Sequence, residues 1–312
     1  MRVMSTPRFS VIIPLYNKEA EIERTLRSVL AQTLAPLEIV IVDDGSTDRS
    51  VERVEAINSP LVKLHRQANA GSAVARNRAI ELAEGEYIAM IDADDEWTPD
   101  YLSEIAQLID LYPDCGGWCS GFDIVSEDGT FAGDTPQYEG VVEDYFAEAM
   151  KRYVCITSAT TIARRVFDEV GGFPVGMRMG QDTYMWIKLA RNYRVATTPK
   201  RLCRYNRAAQ NRTPSIYRGD DGTASFRDFY TAGREPMLDE YAARIGLSRA
   251  IIISAKGGTE EARDTERFFS YTKMNRRILR KLKVNNRLPV AWRWNALRAY
   301  NWLAWKIARK GL

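Results

Sequence analysis

The acidic residues that follow one short apolar segment have the types and spacing to hold a divalent cation. Residues 87–91 (Tyr-Ile-Ala-Met-Ile) predict a buried β-strand, because the run is apolar and too short for an ordinary helix. Asp92, Asp94 and Asp95 come directly after it. Mg²⁺ is usually bound by one or two carboxylates together with the phosphates of a substrate. For this motif alone, a solvated acidic turn before the next helix is the simpler interpretation.

Polar residues also end two earlier predicted strands. The first strand is followed by Tyr16 and Asn17, and the second by Asp43 and Asp44. In an open α/β sheet the carboxyl ends of parallel strands share one edge, and ligands bind in the crevice outside that edge. We therefore expect these side chains to converge with the carboxylates after residue 91. That convergence favours a site for a diphosphate and a metal ion over a solvated turn.

The order of predicted elements indicates the fold that would position these residues. Predicted strands alternate with predicted helices: strands at 9–15, 38–42, 62–65 and 87–92, and helices at 19–32, 48–57 and 70–83. This alternation predicts an α/β fold with a mainly parallel, Rossmann-like sheet and helices on both faces. Further along we expect helices at 99–111, 143–151, 235–246, 260–283 and 289–310, and one more helix that begins near Asp182. Strands are expected at 118–125 and 158–163. Loops are expected at 126–140, 174–182 and 206–234.

Composition excludes several classes of protein. The 312 residues are 45% hydrophobic and 27% charged, as in ordinary soluble globular proteins. The N-terminus has no apolar stretch of signal-peptide length, and no stretch has the roughly 18 apolar residues of a spanning helix, so we expect a cytoplasmic protein. The cysteines at 115, 119, 155 and 203 lack zinc-site spacing. His65 is the one histidine, which excludes histidine-rich metal chemistry.

Charge is distributed unevenly along the chain. The last acidic residue is Glu266, and residues 267–312 contain 13 Lys or Arg. The preceding part holds 31 Lys or Arg against 41 Asp or Glu, although the whole chain has a net charge of only +3. Four of the seven tryptophans also lie in this tail, at 292, 294, 302 and 305. The tail is therefore predicted to be a surface-binding module distinct from the body.

Five ordered blocks of the sequence resemble glycosyltransferase family 2, over about residues 9–207. The blocks are Ser10-Val11-Ile12-Ile13-Pro14-Leu15-Tyr16-Asn17, Ile41-Val42-Asp43-Asp44-Gly45-Ser46-Thr47-Asp48, Asn69-Ala70-Gly71 with Ala75-Arg76-Asn77, Gly85-Glu86-Tyr87 with Asp92-Ala93-Asp94-Asp95, and Gly171-Gly172-Phe173 with Gly180-Gln181-Asp182. Any one of them would be a weak signal, but together and in this order they are specific. The resemblance implies a GT-A fold, an inverting mechanism and a nucleotide-diphosphate sugar donor, most often a UDP-sugar.

The resemblance also implies which residues would bind the donor. The nucleotide-sugar-binding positions that it implies are Pro14, Tyr16, Asn17, Asp43, Asp44, Arg76, Asp92 and Ala93. Of these, the first three would line the nucleoside pocket, Asp44 would accept a hydrogen bond from a pyrimidine N–H, and Arg76 would lie near the phosphates. The residues alone leave three structural alternatives open: a simple turn at Tyr16 and Asn17, a turn former at Asp44 and a surface helix charge at Arg76.

Two further roles follow from the same resemblance. Asp94 is expected to ligate Mn²⁺ or Mg²⁺, which would stabilise the departing diphosphate. Asp182 is expected to be the catalytic base that takes a proton from the acceptor hydroxyl. Gln181 departs from the family, which often has Glu there. The alternative for Asp182 is an N-cap of the helix that follows it.

We expect residues 1–215 to form the GT-A domain, with a nucleotide-binding half (about 1–112) and an acceptor half (about 113–215), and residues 216–312 to form a helical extension. The expected acceptor is a hydroxyl of a cell-envelope polysaccharide or of a lipid-linked glycan precursor. The alternative is a non-catalytic module that binds sugar nucleotides or glycans. A processive synthase is disfavoured, because Val290 stands where its Gln-x-x-Arg-Trp motif has Gln.

The basic tail has several candidate partners. An amphipathic helix with tryptophan and basic residues suits an anionic membrane surface, here the inner face of the cell membrane. Packing on the catalytic domain or in a homo-oligomer explains the same pattern equally. Nucleic-acid binding is disfavoured.

Overall fold

The computed structural model describes residues 7–177, 179–209 and 224–309, with side chains up to residue 299. Contacts divide the chain into two compact units: an N-terminal unit (Met1–Gly176 and Gln181–Thr213) and a C-terminal unit (Met177–Gly180 and Pro214–Leu312). The predicted boundary between residues 215 and 216 lies outside the described residues, as does most of the predicted loop at 206–234.

A single sheet forms the centre of the N-terminal unit. In its described part the strands are β1 (Phe9–Leu15), β2 (Glu38–Asp43), β3 (Val62–Arg66), β4 (Tyr87–Met90), β5 (Glu96–Trp97), β6 (Gly117–Ser126), β7 (Gly129–Ala132), β8 (Gly140–Val141), β9 (Thr160–Ala163) and β10 (Val195–Asn206). Their order is β3-β2-β1-β4-β9-β6-β10-β5, with β7 on β6 and β8 on β10. Strands β1 to β4 are parallel, β6 is parallel to β10, and β9 is antiparallel to both of its neighbours. This arrangement confirms the predicted α/β class and its mainly parallel sheet.

Helices connect and cover these strands. They are α1 (Ile22–Leu30), α2 (Ser50–Glu55), α3 (Ser72–Leu82), α4 (Tyr101–Leu111), α5 (Tyr145–Ala149), α6 (Arg164–Val170) and α7 (Gln181–Asn192). The i, i+4, i+7 spacing of Ile22, Leu26 and Val29 places all three on the buried side of α1. Every residue of β2 is buried, as expected for a central parallel strand.

Five strands and α-helices were absent from the sequence-based prediction. Helix α6 and strands β5 and β10 were not predicted, and the predicted loop at 126–140 contains β7 and the first residue of β8. Strand β10 is irregular, with shifts in its register against β6 between Thr198 and Arg201 and again before Cys203. The polar run with Pro199 at this point hides the strand pattern, because proline cannot donate a hydrogen bond to a neighbouring strand.

The described part of the C-terminal unit is helical. It contains α8 (Pro236–Ala255), α9 (Thr259–Phe268), α10 (Arg276–Arg287) and α11 (Val290–Arg309), with short 3₁₀ turns at Phe226–Phe229 and Phe269–Tyr271. The single helix predicted at 260–283 is therefore two helices. The break is held by Glu240 of α8, which accepts hydrogen bonds from the backbone N–H groups of Lys273 and Met274 and from the side chain of Asn275.

Candidate active site

The parallel pairing of β1 with β2 and β4 brings the polar segments to one edge of the sheet. Leu15 at the end of β1 pairs with Asp43 at the end of β2, and the Asp44 N–H donates to the Leu15 carbonyl at 2.8 Å. On the other side, the Ile91 N–H donates to the Ile12 carbonyl at 3.2 Å. The chain segments that follow β1, β2 and β4 therefore leave the sheet side by side.

Asn17 connects the first two of these segments. Its backbone N–H donates to Ser46 Oγ at 3.0 Å, and its Oδ1 accepts from the Thr47 N–H at 2.8 Å. The φ angle of Asn17 is +50°, a left-handed conformation that asparagine tolerates better than most residues. Pro14 is half-buried in β1, whereas the Tyr16 side chain is 44% exposed.

Asp44 is almost fully buried and holds a loop. Its Oδ1 accepts hydrogen bonds from Gln67 Nε2 at 2.8 Å and the Ala70 N–H at 2.9 Å, and its Oδ2 accepts from the Gly71 N–H at 2.8 Å. Gly71 has φ of +96°, which favours glycine at the start of α3. Asp43 is also buried, and its Oδ1 accepts from the Ser46 N–H at 3.2 Å. Asp44 thus organises the loop at 67–71, in addition to its predicted contact with the base.

A salt bridge joins the β1 and β4 segments. Lys18 Nζ lies 2.8 Å from Asp94 Oδ2, and both side chains are largely covered, with 11% and 14% exposure. Lys18 follows Asn17 directly, so the nucleoside-side segment reaches the carboxylate predicted to ligate the metal. Lys18 was not predicted as a site residue. The only sequence signal is its position beside the Tyr16-Asn17 pair.

Arg76 of α3 is buried and pairs with one of the acidic residues after β4. Its guanidinium donates to Asp92 Oδ1 at 2.6 Å and lies 5.4 Å from the ring centre of Phe173. Burial by itself lowers the pKa of Arg76, but Asp92, and then Asp182 and Asp94, raise it above its ordinary value. Arg76 therefore contacts Asp92 and lies in the electrostatic field of two more predicted site carboxylates, Asp94 after β4 and Asp182 in α7. The buried Nε of Arg76 has no hydrogen-bond partner among the described residues.

The turn after β4 is held from inside the protein. Asp95 is fully buried, accepts hydrogen bonds from Ser158 Oγ and from the Asn206 N–H of β10, and has a pKa raised well above its usual range, chiefly by burial. Ser158 Oγ also accepts from the Asp92 N–H at 3.0 Å. Asp95 therefore stabilises the turn through contacts in the protein interior, and its carboxylate is not available to a ligand. Ala93, in the same turn, is 3% exposed.

Asp182 lies in the first turn of α7. The helix begins at Gln181, so Asp182 is not the N-cap that its sequence context suggested. Its Oδ1 accepts from the Thr183 N–H at 2.7 Å. The side chain of Gln181 donates to Ser72 Oγ at the start of α3. This contact holds the first turn of α7 against the helix that carries Arg76.

The described residues supply only part of a donor set for a metal ion. Among the residues that the structure describes, no group of three His, Cys, Asp or Glu side chains is placed to hold a metal ion. The carboxylates of Asp92 and Asp94 are each paired with a basic side chain, Arg76 and Lys18. A divalent ion here would be completed by oxygen atoms of a bound diphosphate, which is the usual coordination of Mg²⁺ at phosphate-transfer sites.

Comparison with solved structures supports the fold. The first 349 residues of *S. aureus* TarS, solved in complex with UDP-GlcNAc, superpose with a TM-score of 0.68 and 21% identity over 94% of this chain and 91% of that chain. The same fragment in complex with UDP gives a TM-score of 0.64 over the same shares of the two chains. At this level of identity the likeness establishes the GT-A fold with a helical C-terminal region.

Sequence relatives are also glycosyltransferases by name. YibD of *Escherichia coli* K12, described as an uncharacterized glycosyltransferase, is 54% identical over 30% of this chain and 28% of its own length. TuaG of *Bacillus subtilis* 168, a putative teichuronic acid biosynthesis glycosyltransferase, is 38% identical over 40% of this chain and 50% of its own length. The matches thus cover half or less of these relatives. The family described as Glycosyl transferase family 2 matches residues 10–171, just over half of the chain. The chain belongs to glycosyltransferase family 2.

Proposed function

We propose that this protein is an inverting, metal-dependent glycosyltransferase that transfers a sugar from a nucleotide-diphosphate donor, most simply a UDP-sugar, to a hydroxyl group. The observation that carries the proposal is the buried guanidinium of Arg76, which contacts Asp92 and lies in the electrostatic field of Asp94 and Asp182. This arrangement combines acidic side chains for a cation, a fixed positive charge for phosphates and a separate carboxylate for a proton. A non-catalytic binding module would not require all three.

The donor side of the site would be built from the segments after β1 and β2. The exposed ring of Tyr16 offers a stacking surface for the base, and Asn17 with Asp43 shapes the loop beside it. Arg76 is always charged, and its buried Nε–H is available for a phosphate oxygen. Pro14 and the Ala93 backbone would complete the pocket.

Asp94, with Asp92 beside it, would hold Mn²⁺ or Mg²⁺. The fit is supported by Lys18, because its ammonium group shows that the Asp94 carboxylate accepts a positive charge at this place. When bound, the ion would stabilise negative charge on the departing diphosphate as a Lewis acid.

Asp182 would act as the general base. Its carboxylate takes the proton of the acceptor hydroxyl while the acceptor oxygen forms a bond to C1 of the sugar. The bond from C1 to the phosphate oxygen breaks, and the nucleoside diphosphate leaves with the electron pair. Attack from the side opposite the leaving group inverts the configuration at C1. The contact between Gln181 and Ser72 would hold the first turn of α7, which carries Asp182, against α3, which carries Arg76.

The acceptor is proposed from the relatives. TuaG is named for teichuronic acid biosynthesis, and WcaA of *Escherichia coli* K12, 42% identical over 32% of this chain, for colanic acid biosynthesis. We therefore propose that the acceptor is a growing cell-envelope polysaccharide or its lipid-linked precursor, reached from the cytoplasm.

The test is a panel of nucleotide sugars incubated with the protein and Mn²⁺, with release of the nucleoside diphosphate as the readout. We expect slow hydrolysis of one donor that requires the divalent ion and is lost in Asp182→Asn. Donor binding with no hydrolysis or transfer, with or without acceptor glycans, would identify a non-catalytic module instead.

A further inference from the structure

Charge is segregated between the helices of the C-terminal unit. Helix α9 carries the acidic residues Glu260, Glu261, Asp264 and Glu266, whereas the chain after Glu266 has no acidic residue. Helices α10 and α11 pack against each other and against α8. A partner that contacts the outward sides of α10 and α11 would therefore meet positive charge that no carboxylate of these two helices balances.

The outward side of α10 and of the turn before it is basic. Leu279 and Leu282 are buried toward the unit's interior. The exposed basic residues are Lys273, Arg276, Arg277, Arg280 and Arg287. Apolar side chains lie among them, since Met274 and Val284 are 57% and 59% exposed.

Arg293 fixes the rotation of α11. Although it lies in a tryptophan-rich segment, its guanidinium is the buried group, donating to the carbonyls of Leu288, Asn286 and Ser254 and to Thr259 Oγ1 at 2.6 Å. Burial lowers the pKa of Arg293, and carbonyl oxygens at the ends of α8 and α10 offset part of that cost.

The residues on either side of Arg293 consequently point away from the unit's interior. Trp292 is 67% exposed, and Trp294 and Val290 are also exposed. Lys256 Nζ lies 5.4 Å from the ring centre of Trp294. Val290, Trp292 and Trp294 are thus left exposed at the start of α11.

We propose that this surface, the outward sides of α10 and of the start of α11, binds an anionic membrane surface through lipid phosphate groups. Basic side chains are attracted by the negative leaflet, and tryptophan settles at the level of the headgroups. No helix in the described residues is long and apolar enough to cross a membrane, so the proposed contact is with the surface of the bilayer. The proposal does not depend on the transferase activity.

Two other occupants fit this surface less well. A second copy of the chain meeting it through a twofold axis would place arginines opposite arginines, with no acidic residue of α10 or α11 to balance them. A nucleic acid would satisfy the arginines, but it would leave the exposed Met274, Val284 and Val290 without an apolar partner. A bilayer interface accommodates both kinds of side chain.

Flotation of the full chain with vesicles tests the proposal. We expect the protein to float with vesicles containing about one third phosphatidylglycerol and to remain at the bottom of the gradient with pure phosphatidylcholine vesicles. High salt should release it from the anionic vesicles. The double variant Arg277→Glu, Arg280→Glu should lose at least about tenfold in partitioning, because each basic residue near the surface contributes about fivefold. Trp292→Ala should also weaken binding, while the matched control Arg27→Glu, Arg53→Glu on α1 and α2 should partition like the wild type.

Circular dichroism and melting temperature would establish that each variant is folded. The proposal is overturned if the wild type does not float with anionic vesicles. It is also overturned if the α10 variant and the control lose vesicle binding to the same extent. Two further results would overturn it, in each case with vesicle binding unchanged. The α10 substitutions could abolish binding to single-stranded RNA, or they could abolish a dimer detected by sedimentation.

Discussion

The ammonium group of Lys18 lies 2.8 Å from the carboxylate of Asp94, so the proposed metal ligand is already paired with a cation from the neighbouring strand end. Both side chains are largely covered, which makes the pair stronger than an exposed one. A divalent ion that binds Asp94 must therefore displace Lys18 or share the carboxylate with it. The nucleoside-side segment carries Lys18, so metal binding and donor binding are expected to be coupled.

Replacing Lys18 by Met should tighten Mn²⁺ binding to the nucleotide-free protein, by roughly threefold to tenfold, because the ion no longer competes with an ammonium group for Asp94. Mn²⁺ titration followed by electron paramagnetic resonance measures this without activity. Lys151→Met, at an exposed lysine, is the control. Equal or weaker Mn²⁺ affinity in Lys18→Met would show that the ion binds elsewhere.

Replacing Asp182 by Asn should lower kcat by about 10² to 10⁴-fold, the usual contribution of a general base. Affinity for the nucleoside diphosphate should change little, because the substitution keeps the size of the side chain. Initial rates and calorimetric titration with UDP separate the two effects. Asp128→Asn, in the exposed turn between β6 and β7, should behave like the wild type. A kcat within a few-fold of wild type would remove Asp182 from the mechanism.

Replacing Asp44 by Asn should loosen the loop at 67–71, since an amide cannot accept from Gln67, Ala70 and Gly71 as the carboxylate does. We expect faster hydrogen exchange at the Ala70 and Gly71 amides and a loss of about 2–4 kcal/mol in the free energy of unfolding. Mass spectrometry with peptide-level exchange measures the first effect. If exchange at 70–71 is unchanged, Asp44 does not anchor this loop.

Replacing Glu38 by Gln should destabilise the fold in a pH-dependent way. Although burial alone raises the pKa of Glu38, hydrogen bonds from Lys63, Ser10 and the Glu84 N–H lower it overall. A carboxyl with a lowered folded-state pKa stabilises the fold above its unfolded pKa of about 4.3, and this stabilisation disappears as pH falls through the folded value.

Urea unfolding at several pH values measures this effect. The variant should be less stable than wild type by about 1–3 kcal/mol at pH 7, and the difference should shrink below about pH 4. A difference that stays constant from pH 7 to pH 3 would show that the Glu38 charge contributes nothing.

Local patterns were sufficient to predict β1 to β4 and the helices between them, because each is a short apolar or amphipathic segment. Parallel pairing then follows from their alternation and brings Asn17, Asp43 and Asp92 to one edge of the sheet. Contacts between distant segments were not predictable. The Lys18–Asp94 pair spans 76 residues, and nothing near Asp95 in the sequence indicates that it lies inside the protein.

The β10 strand illustrates the same limit. Its irregular stretch around Pro199 resembles a loop in sequence, yet the strand supplies the Asn206 N–H that binds Asp95. Likewise, Arg293 belongs to a basic, tryptophan-rich segment in which every base is expected to be solvated. Its burial depends on three carbonyl groups from two other parts of the chain, the ends of α8 and α10.

Calorimetric titration of UDP into the wild-type protein and into Asp94→Asn, each with and without Mn²⁺, tests the central claim most directly. The claim is that the acidic cluster around Arg76 binds a nucleoside diphosphate together with a divalent ion. We predict that Mn²⁺ tightens UDP binding by about tenfold or more in the wild type, equivalent to roughly 1.4 kcal/mol, and that Asp94→Asn abolishes this gain. The claim is contradicted if Mn²⁺ leaves the UDP affinity of the wild type unchanged, or if Asp94→Asn retains the full effect.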